Sequence, residues 1–334
     1  MKHTALTLLI LFLFQALSAQ IDYHSKYREA IASIEKNYAG FKDKTEGKER
    51  FYQIFKTELE KDSIRDLSTL KKRLKTYISF FDDNHLKLNE FDVEKYVAKK
   101  QYRIKEFNFK NLNDSTCYLK IPHFMYKSRV DSLLYQAINS ISKRKNLIID
   151  IRGNTGGGDD AFSKLLPIIA TNDMYYRNVE FLATKANWEF IDSLVNIGEW
   201  KEEYDDQVIP APWLNSKKPF LRMNDQRVST VNYLPKNVAV LVDRKVGSAA
   251  ESFVFCAKQS FKVKVFGENT AGTLDYSNCR HFKVIKDEVY IQAPTTKICG
   301  LPVNQIDKHG IAPDFYLTKE NQIEQVLRYF EIWW

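Results

Sequence analysis

The chain has 334 residues, 44% of them hydrophobic and 13% aromatic, which excludes a disordered protein and allows about two domains around a large core. Its 50 Lys and Arg against 42 Asp and Glu give a net charge of +8. The basic residues are scattered among acids rather than gathered in a stripe, which points to a solvated surface and away from nucleic-acid binding.

In chain order, Lys2 and His3 precede the apolar run ALTLLILFLFQALSA, which closes on small residues before Gln20. A charge, a greasy core and a small-residue exit make a secretory signal peptide, predicted over 1–19 with cleavage near Ser18 or Ala19. The run is short of the roughly 20 apolar residues that span a bilayer, and no later segment approaches that length. The mature chain is therefore expected to have no membrane span and to be periplasmic or secreted.

From about Tyr23 to Phe80, the segments KYREAIASIEKNY, KERFYQIFKTELEK and IRDLSTLKKRLKTYISFF each repeat apolar residues three and four apart. They predict a small helical N-terminal domain over 20–85, ending in the polar turn DDNHLKL, where His85 sits. The remainder, 86–334, alternates. STCYLKIPHF and KNLIIDIR read as strands around a helical VDSLLYQAINSI, and DDAFSKLLPIIA reads as a helix. KNVAVLVDR, AAESFVFCAK and KVKVFGE continue as strand, helix, strand. This order predicts an α/β domain with a largely parallel sheet. The aromatic-rich stretch of about 171–232 reads as an insertion that could form a lid or a pocket wall. Cys117, Cys256, Cys279 and Cys299 form no Cys-x-x-Cys pair, so no metal or cofactor is expected. Cys279 and Cys299, the closest in sequence, are the candidate disulfide, with buried thiols as the alternative.

Two loops could carry chemistry. In LIIDIRGNTGGGDDAF, clustered glycines lie between a strand and a helix, where backbone N–H groups can approach a ligand. The spacing is neither Gly-x-Gly-x-x-Gly nor a P-loop, and Asp159 and Asp160 would repel a phosphate. A tight turn and an oxyanion hole remain. In VLVDRKVGSAAESFVFCAK, Ser248 with Glu251 makes the residue pattern of a capping box. A strand-to-helix turn is also where a nucleophilic serine is exposed, with the Ala249 N–H beside it. Such a serine needs a base, and His24, His85, His123, His281 and His309 are the histidines beyond the leader. Spacing does not choose among them.

Together the two loops resemble the core of the C-terminal processing (tail-specific) protease family. GIAPDF at 310–315 is similar to that family's closing motif, CYLKIPHF to its opening strand, and DDNH to a turn that precedes the core in one branch. The resemblance covers about residues 80–318, with the motifs in order. It implies a ClpP/crotonase-like α/β core, serine peptidase activity and a peptide or protein substrate. It further implies Ser248 as nucleophile and an oxyanion hole from Ala249 together with Gly156 or Gly157. The family's lysine base falls at Thr273, which cannot serve, and the interval from Leu86 to Thr116 is too short for a PDZ domain. The chain is thus closer to the histidine-using branch that includes tricorn protease and the nisin resistance protein. In that branch the base corresponds to His85. Asp307 matches an acidic residue used there, while Asn84 or Asp83 could instead orient the imidazole. Interphotoreceptor retinoid-binding protein also resembles this family and carries apolar ligands, so a non-catalytic carrier is the alternative.

Overall fold

The computed structural model describes residues 21–90, 106–196, 220–222, 227–228, 234–286, 288–303 and 305–333. The signal peptide expected over 1–19 lies outside them. Polar caps and amphipathic spacing set the first elements. Asp22 accepts from His24 N and Ser25 N at 3.0 Å each to start α1 (Tyr23–Asn37). Then come α2 (Phe41–Thr45), α3 (Glu49–Glu60) and α4 (Leu67–Ser79), the last capped by Asp66 at Thr69 N. The three helices expected from periodicity are all present.

After β1 (Lys87–Glu90), the chain forms β2 (Asn108–Asn113), β3 (Thr116–Lys120), α5 (Lys127–Ile141) and β4 (Asn146–Asp150). DDAFSKLLPIIA is not one helix. A single 3-10 turn over Asp159–Phe162 is followed by α6 (Leu165–Ile169). Pro167 has no N–H to donate backward, so it sits in the first turn of a new helix instead of extending the old one. The insertion supplies β5 (Met174–Tyr175), β6 (Val179–Leu182), α7 (Lys185–Asn196), β7 (Phe220–Arg222) and β8 (Arg227–Val228). Much of the expected lid, 197–219 included, lies outside the described residues. The chain continues through β9 (Asn237–Val242), α8 (Ala249–Ala257) and β10 (Val263–Gly267). It finishes with the long strands β11 (Tyr276–Ile285) and β12 (Val289–Ile298), then β13 (Phe315–Tyr316) and α9 (Gln322–Trp333).

A six-stranded sheet has the order β13-β10-β9-β4-β3-β2, parallel except for β2. Every residue of β4 and β9 is buried, because both faces of the sheet are covered. Leu147, Ile149, Val238 and Val240 pack under α5, α6 and α8, while Ile148, Ala239 and Leu241 meet Val326 and Phe330 of α9. The fold is α/β, as the sequence predicts. A second sheet gathers β1, β6, β7, β11 and β12, antiparallel throughout. The N-terminal helices share a core with its β11–β12 hairpin, where Ile31, Leu70, Leu74 and Phe81 pack with Val289 and Ile291.

The four cysteines are free thiols, which corrects the candidate Cys279–Cys299 bridge. Cys279 stands opposite Pro294, five positions short of Cys299 along the partner strand. At about 3.3 Å per residue that separation is roughly 16 Å, against the ~7 Å that a disulfide tolerates.

Phe81 is buried among the rings of Tyr38, Phe41, Tyr52, Tyr77 and Phe80, with centroids 5.3–6.2 Å away. Phe81→Ala should cost about 3–5 kcal/mol, read as a lower urea midpoint. A loss below about 1 kcal/mol would mean that these rings do not hold the helices on the hairpin.

Candidate active site

The turn after β9 is fixed from both ends. Asp243 Oδ1 accepts from Gly153 N and Lys245 N at 3.0 Å each, and Gly247 N donates to Asn154 O at 3.1 Å. Ser248 follows with φ 56° and ψ −128°, a main-chain conformation that L residues rarely adopt, and α8 starts at the next residue. Its N–H is shared by Thr273 Oγ1 at 2.9 Å and Glu251 Oε2 at 3.2 Å. The bond to Glu251 Oε2 is the carboxylate half of a capping box on the first turn of α8.

The glycine loop meets this turn directly. A Cβ on Gly156 would stand 2.8 Å from both Gly247 O and Ser248 Cβ and 3.0 Å from Ala249 N, so only glycine fits. Phe124 N donates to Gly156 O and Gly158 N donates to Phe124 O, at 3.0 Å each. These two bonds turn the intervening Gly157 N–H away from Phe124. Gly156 N–H is engaged by Asn154 Oδ1 at 2.9 Å. Among the described residues, the N–H groups of Ala249 and Gly157 have no acceptor. Of the two glycines named from the sequence, Gly157 thus has the free donor.

His85 lies in the turn between α4 and β1, held at main chain and ring. Its N–H donates to Asp83 Oδ1 at 2.7 Å, and its carbonyl accepts from Gln292 Nε2 at 3.1 Å. Ring Nδ1 is 2.6 Å from Tyr276 O. A carbonyl only accepts, so Nδ1 carries the proton and neutral His85 has its lone pair on Nε2. Burial pulls its pKa below the ordinary 6.5, opposed by the charge of Asp83, the Tyr276 carbonyl and the charge of Glu251.

Thr273, on Ser248, and Tyr276, on His85, are three residues apart, a span of at most about 11 Å. One short segment therefore anchors both groups. Among the described residues no hydrogen bond joins the Ser248 hydroxyl to the imidazole; in unliganded sites such bonds often tighten only when substrate binds.

Asp307 is placed otherwise. Its Oδ1 accepts from Asp275 N at 3.1 Å, and Asp275 Oδ2 accepts from Ile306 N and Asp307 N at 2.9 Å each. Lys44 Nζ lies 3.8 Å away, and no hydrogen bond links Asp307 to His85 among the described residues. Burial, with Asp275 and Asp83 nearby, raises its pKa to about 7. Asp83 holds the main chain of His85 and accepts Tyr38 Oη–H at 2.6 Å, while Asn84 is exposed. The group on the ring is a carbonyl, which carries no side-chain signal in sequence. No group of His, Cys, Asp and Glu suited to a metal occurs among the described residues.

The sequence of residues 115–317 matches a family of peptidases of the serine class. The profile of Peptidase family S41 matches residues 115–317, and the chain belongs to that family. Among solved structures it is similar to mature CPAF, with a TM-score of 0.62, 10% identity, and 89% of this chain and 92% of that one covered. A lipoprotein from Streptococcus agalactiae aligns with a TM-score of 0.56, 16% identity and coverages of 93% and 96%. The photosystem II D1 C-terminal processing protease gives 0.55, 12%, 92% and 97%. A search of curated proteins finds no match.

An Asp307 carboxyl near 3.8 when unfolded and about 7 when folded keeps a proton that the unfolded chain has lost, so its contribution to stability falls as pH rises through that window. Asp307→Asn cannot ionise and should flatten this part of the urea-midpoint curve against pH. Parallel curves for the two proteins would contradict the buried, proton-holding carboxyl.

Proposed function

We propose that this chain is an exported serine peptidase that cuts within peptide chains through an acyl-enzyme on Ser248, with His85 as general base. The observation that carries the reading is Ser248 at φ 56° on a helix N-terminus, with the glycine loop against its Cβ. His85 Nε2 takes the hydroxyl proton as Oγ attacks the peptide carbonyl carbon. The developing oxyanion accepts from Ala249 N–H and Gly157 N–H, each such donor being worth roughly 3 kcal/mol. The imidazolium then gives its proton to the departing amine. Water, deprotonated by the same Nε2, hydrolyses the ester and frees Ser248.

The charge of Asp83, the Tyr276 carbonyl and the charge of Glu251 favour the imidazolium while burial opposes it, which supports a base that is neutral at rest. Asp307, facing Asp275 and Lys44, serves this reading as a bracket on the loop before β13 rather than as a third catalytic group. Export rests on the leader-like residues 1–19, and periplasmic or secreted localisation goes with it. No described helix is long and apolar enough to cross a membrane. The processing protease among the structural relatives is named for C-terminal cleavage. Here no module for a free C-terminus is legible in the sequence, so the proposed substrate is an extended internal peptide segment.

A peptide-library digest compares wild type with Ser248→Ala and His85→Ala. Both variants should lose nearly all turnover. Wild-type kcat/KM should rise with pH through a midpoint below 6.5 and then level off. Equal cleavage by all three proteins would remove the assignment, and no cleavage by any of them would favour the carrier.

A further inference from the structure

Ser248 is held by an arrangement that the reaction itself does not use. Its main chain lies in a sparsely populated region, which is costly and persists only when neighbours over-determine it. The neighbours are Glu251 and Thr273. Glu251 is fully buried, yet its carboxylate faces five hydrogen-bond donors, none of them Lys or Arg. Oε1 accepts from Thr270 Oγ1 at 2.5 Å and Gly272 N at 2.7 Å. Oε2 accepts from Thr273 N at 2.8 Å, Thr273 Oγ1 at 3.1 Å and Ser248 N at 3.2 Å. A buried carboxylate is costly without such donors, and its place in the first turn of α8 adds the favourable end of the helix dipole.

The proton of the Thr273 hydroxyl is fixed by its surroundings. Ser248 N–H can only donate, so Oγ1 accepts from it, and the hydroxyl hydrogen goes to Glu251. Gly247 makes the approach possible, because a Cβ there would stand 2.8 Å from Thr273 Oγ1. The segment is immobilised from behind as well. Thr270 N donates to Ile311 O at 3.2 Å, Ile311 N to Thr270 Oγ1 at 2.7 Å, and Lys308 N to Gly272 O at 3.0 Å.

We propose that Glu251 and Thr273 form an internal brace that fixes the Ser248 main chain in its strained conformation, and that both are positioning residues for attack by that serine. The proposal rests on Ser248 being the nucleophile. The brace aims the hydroxyl into the cleft and keeps Ala249 N–H aligned with the Gly157 N–H. The charge of Glu251 also favours a protonated His85, so the same carboxylate supports the imidazolium that forms during attack.

The test compares wild type, Thr273→Val, Thr273→Ser, Glu251→Gln and Ser248→Ala, each checked for folding by circular dichroism. The readouts are the rate of labelling by a fluorophosphonate, with the labelled residue identified by mass spectrometry, and kcat and KM on the best library peptide. Thr273→Val keeps the shape of the side chain and loses its hydroxyl. It should lower both kcat and labelling rate about 10- to 100-fold, since sub-ångström misplacement is costly in rate, with KM within about two-fold. Thr273→Ser should restore both to within about three-fold of wild type. Glu251→Gln turns one acceptor oxygen into a donor facing N–H or hydroxyl groups and should lose more. If it does not fold, the threonine pair decides alone. A folded Thr273→Val labelled at the wild-type rate, or one in which only KM changes, overturns the brace. Wild type unlabelled at Ser248 overturns the nucleophile first and the brace with it.

Discussion

A serine at φ 56° and ψ −128° has to be held there by its neighbours, and much of this molecule converges on that residue. The parallel sheet delivers β9 to the turn. The glycine loop after β4 packs against the serine so closely that no side chain fits at 156. The segment 270–273 after β10 reaches its N–H from the other side. Three consecutive parallel strands thus contribute the three walls of one turn, an economy available to a sheet whose strand ends all point the same way.

The second half of the candidate site comes from elsewhere in the chain. His85 follows the N-terminal helices, whose hydrophobic core is shared with the β11–β12 hairpin. That shared core keeps the His85 turn on the hairpin, and the first residue of β11 supplies the carbonyl for the imidazole. Tyr38 on α1 adds a hydrogen bond to Asp83, which holds the main chain of the same turn. Loosening the helices would therefore be felt at the histidine before the serine, because the serine turn is built from the parallel sheet.

Legibility in the sequence followed physical period. The N-terminal helices repeat apolar residues on one face, and β4 and β9 carry the continuous apolar runs Leu147–Ile149 and Val238–Val242 because both sheet faces are covered, so these elements are legible directly. The β11–β12 hairpin could not. Its strands mix buried and half-exposed positions, with Arg280, His281 and Lys283 along β11, and neither strict alternation nor a continuous run survives. The helix expected over 159–170 was interrupted at Pro167, a breaker visible in the letters but outweighed by the apolar periodicity around it. In the site, Ser248 and its glycine partners were visible as punctuation between strand and helix. Glu251 was visible only as a capping residue, because its other four donors come from a segment 19–22 positions away. The Tyr276 carbonyl had no signal, since every residue has one. Asp307, which with Asp83 and Asn84 is a sequence candidate for the acidic or orienting group, accepts from Asp275 N.

In the proposed peptidase the serine turn, the glycine loop and the histidine turn enclose one reacting centre. A crystal structure of the protein bearing a phosphonyl group on Ser248 Oγ tests it most directly. The phosphonyl oxygen should accept from both Ala249 N–H and Gly157 N–H, with His85 Nε2 facing Oγ across the cleft. An oxygen directed to solvent, or an imidazole turned away with another side chain beside Oγ, would contradict it.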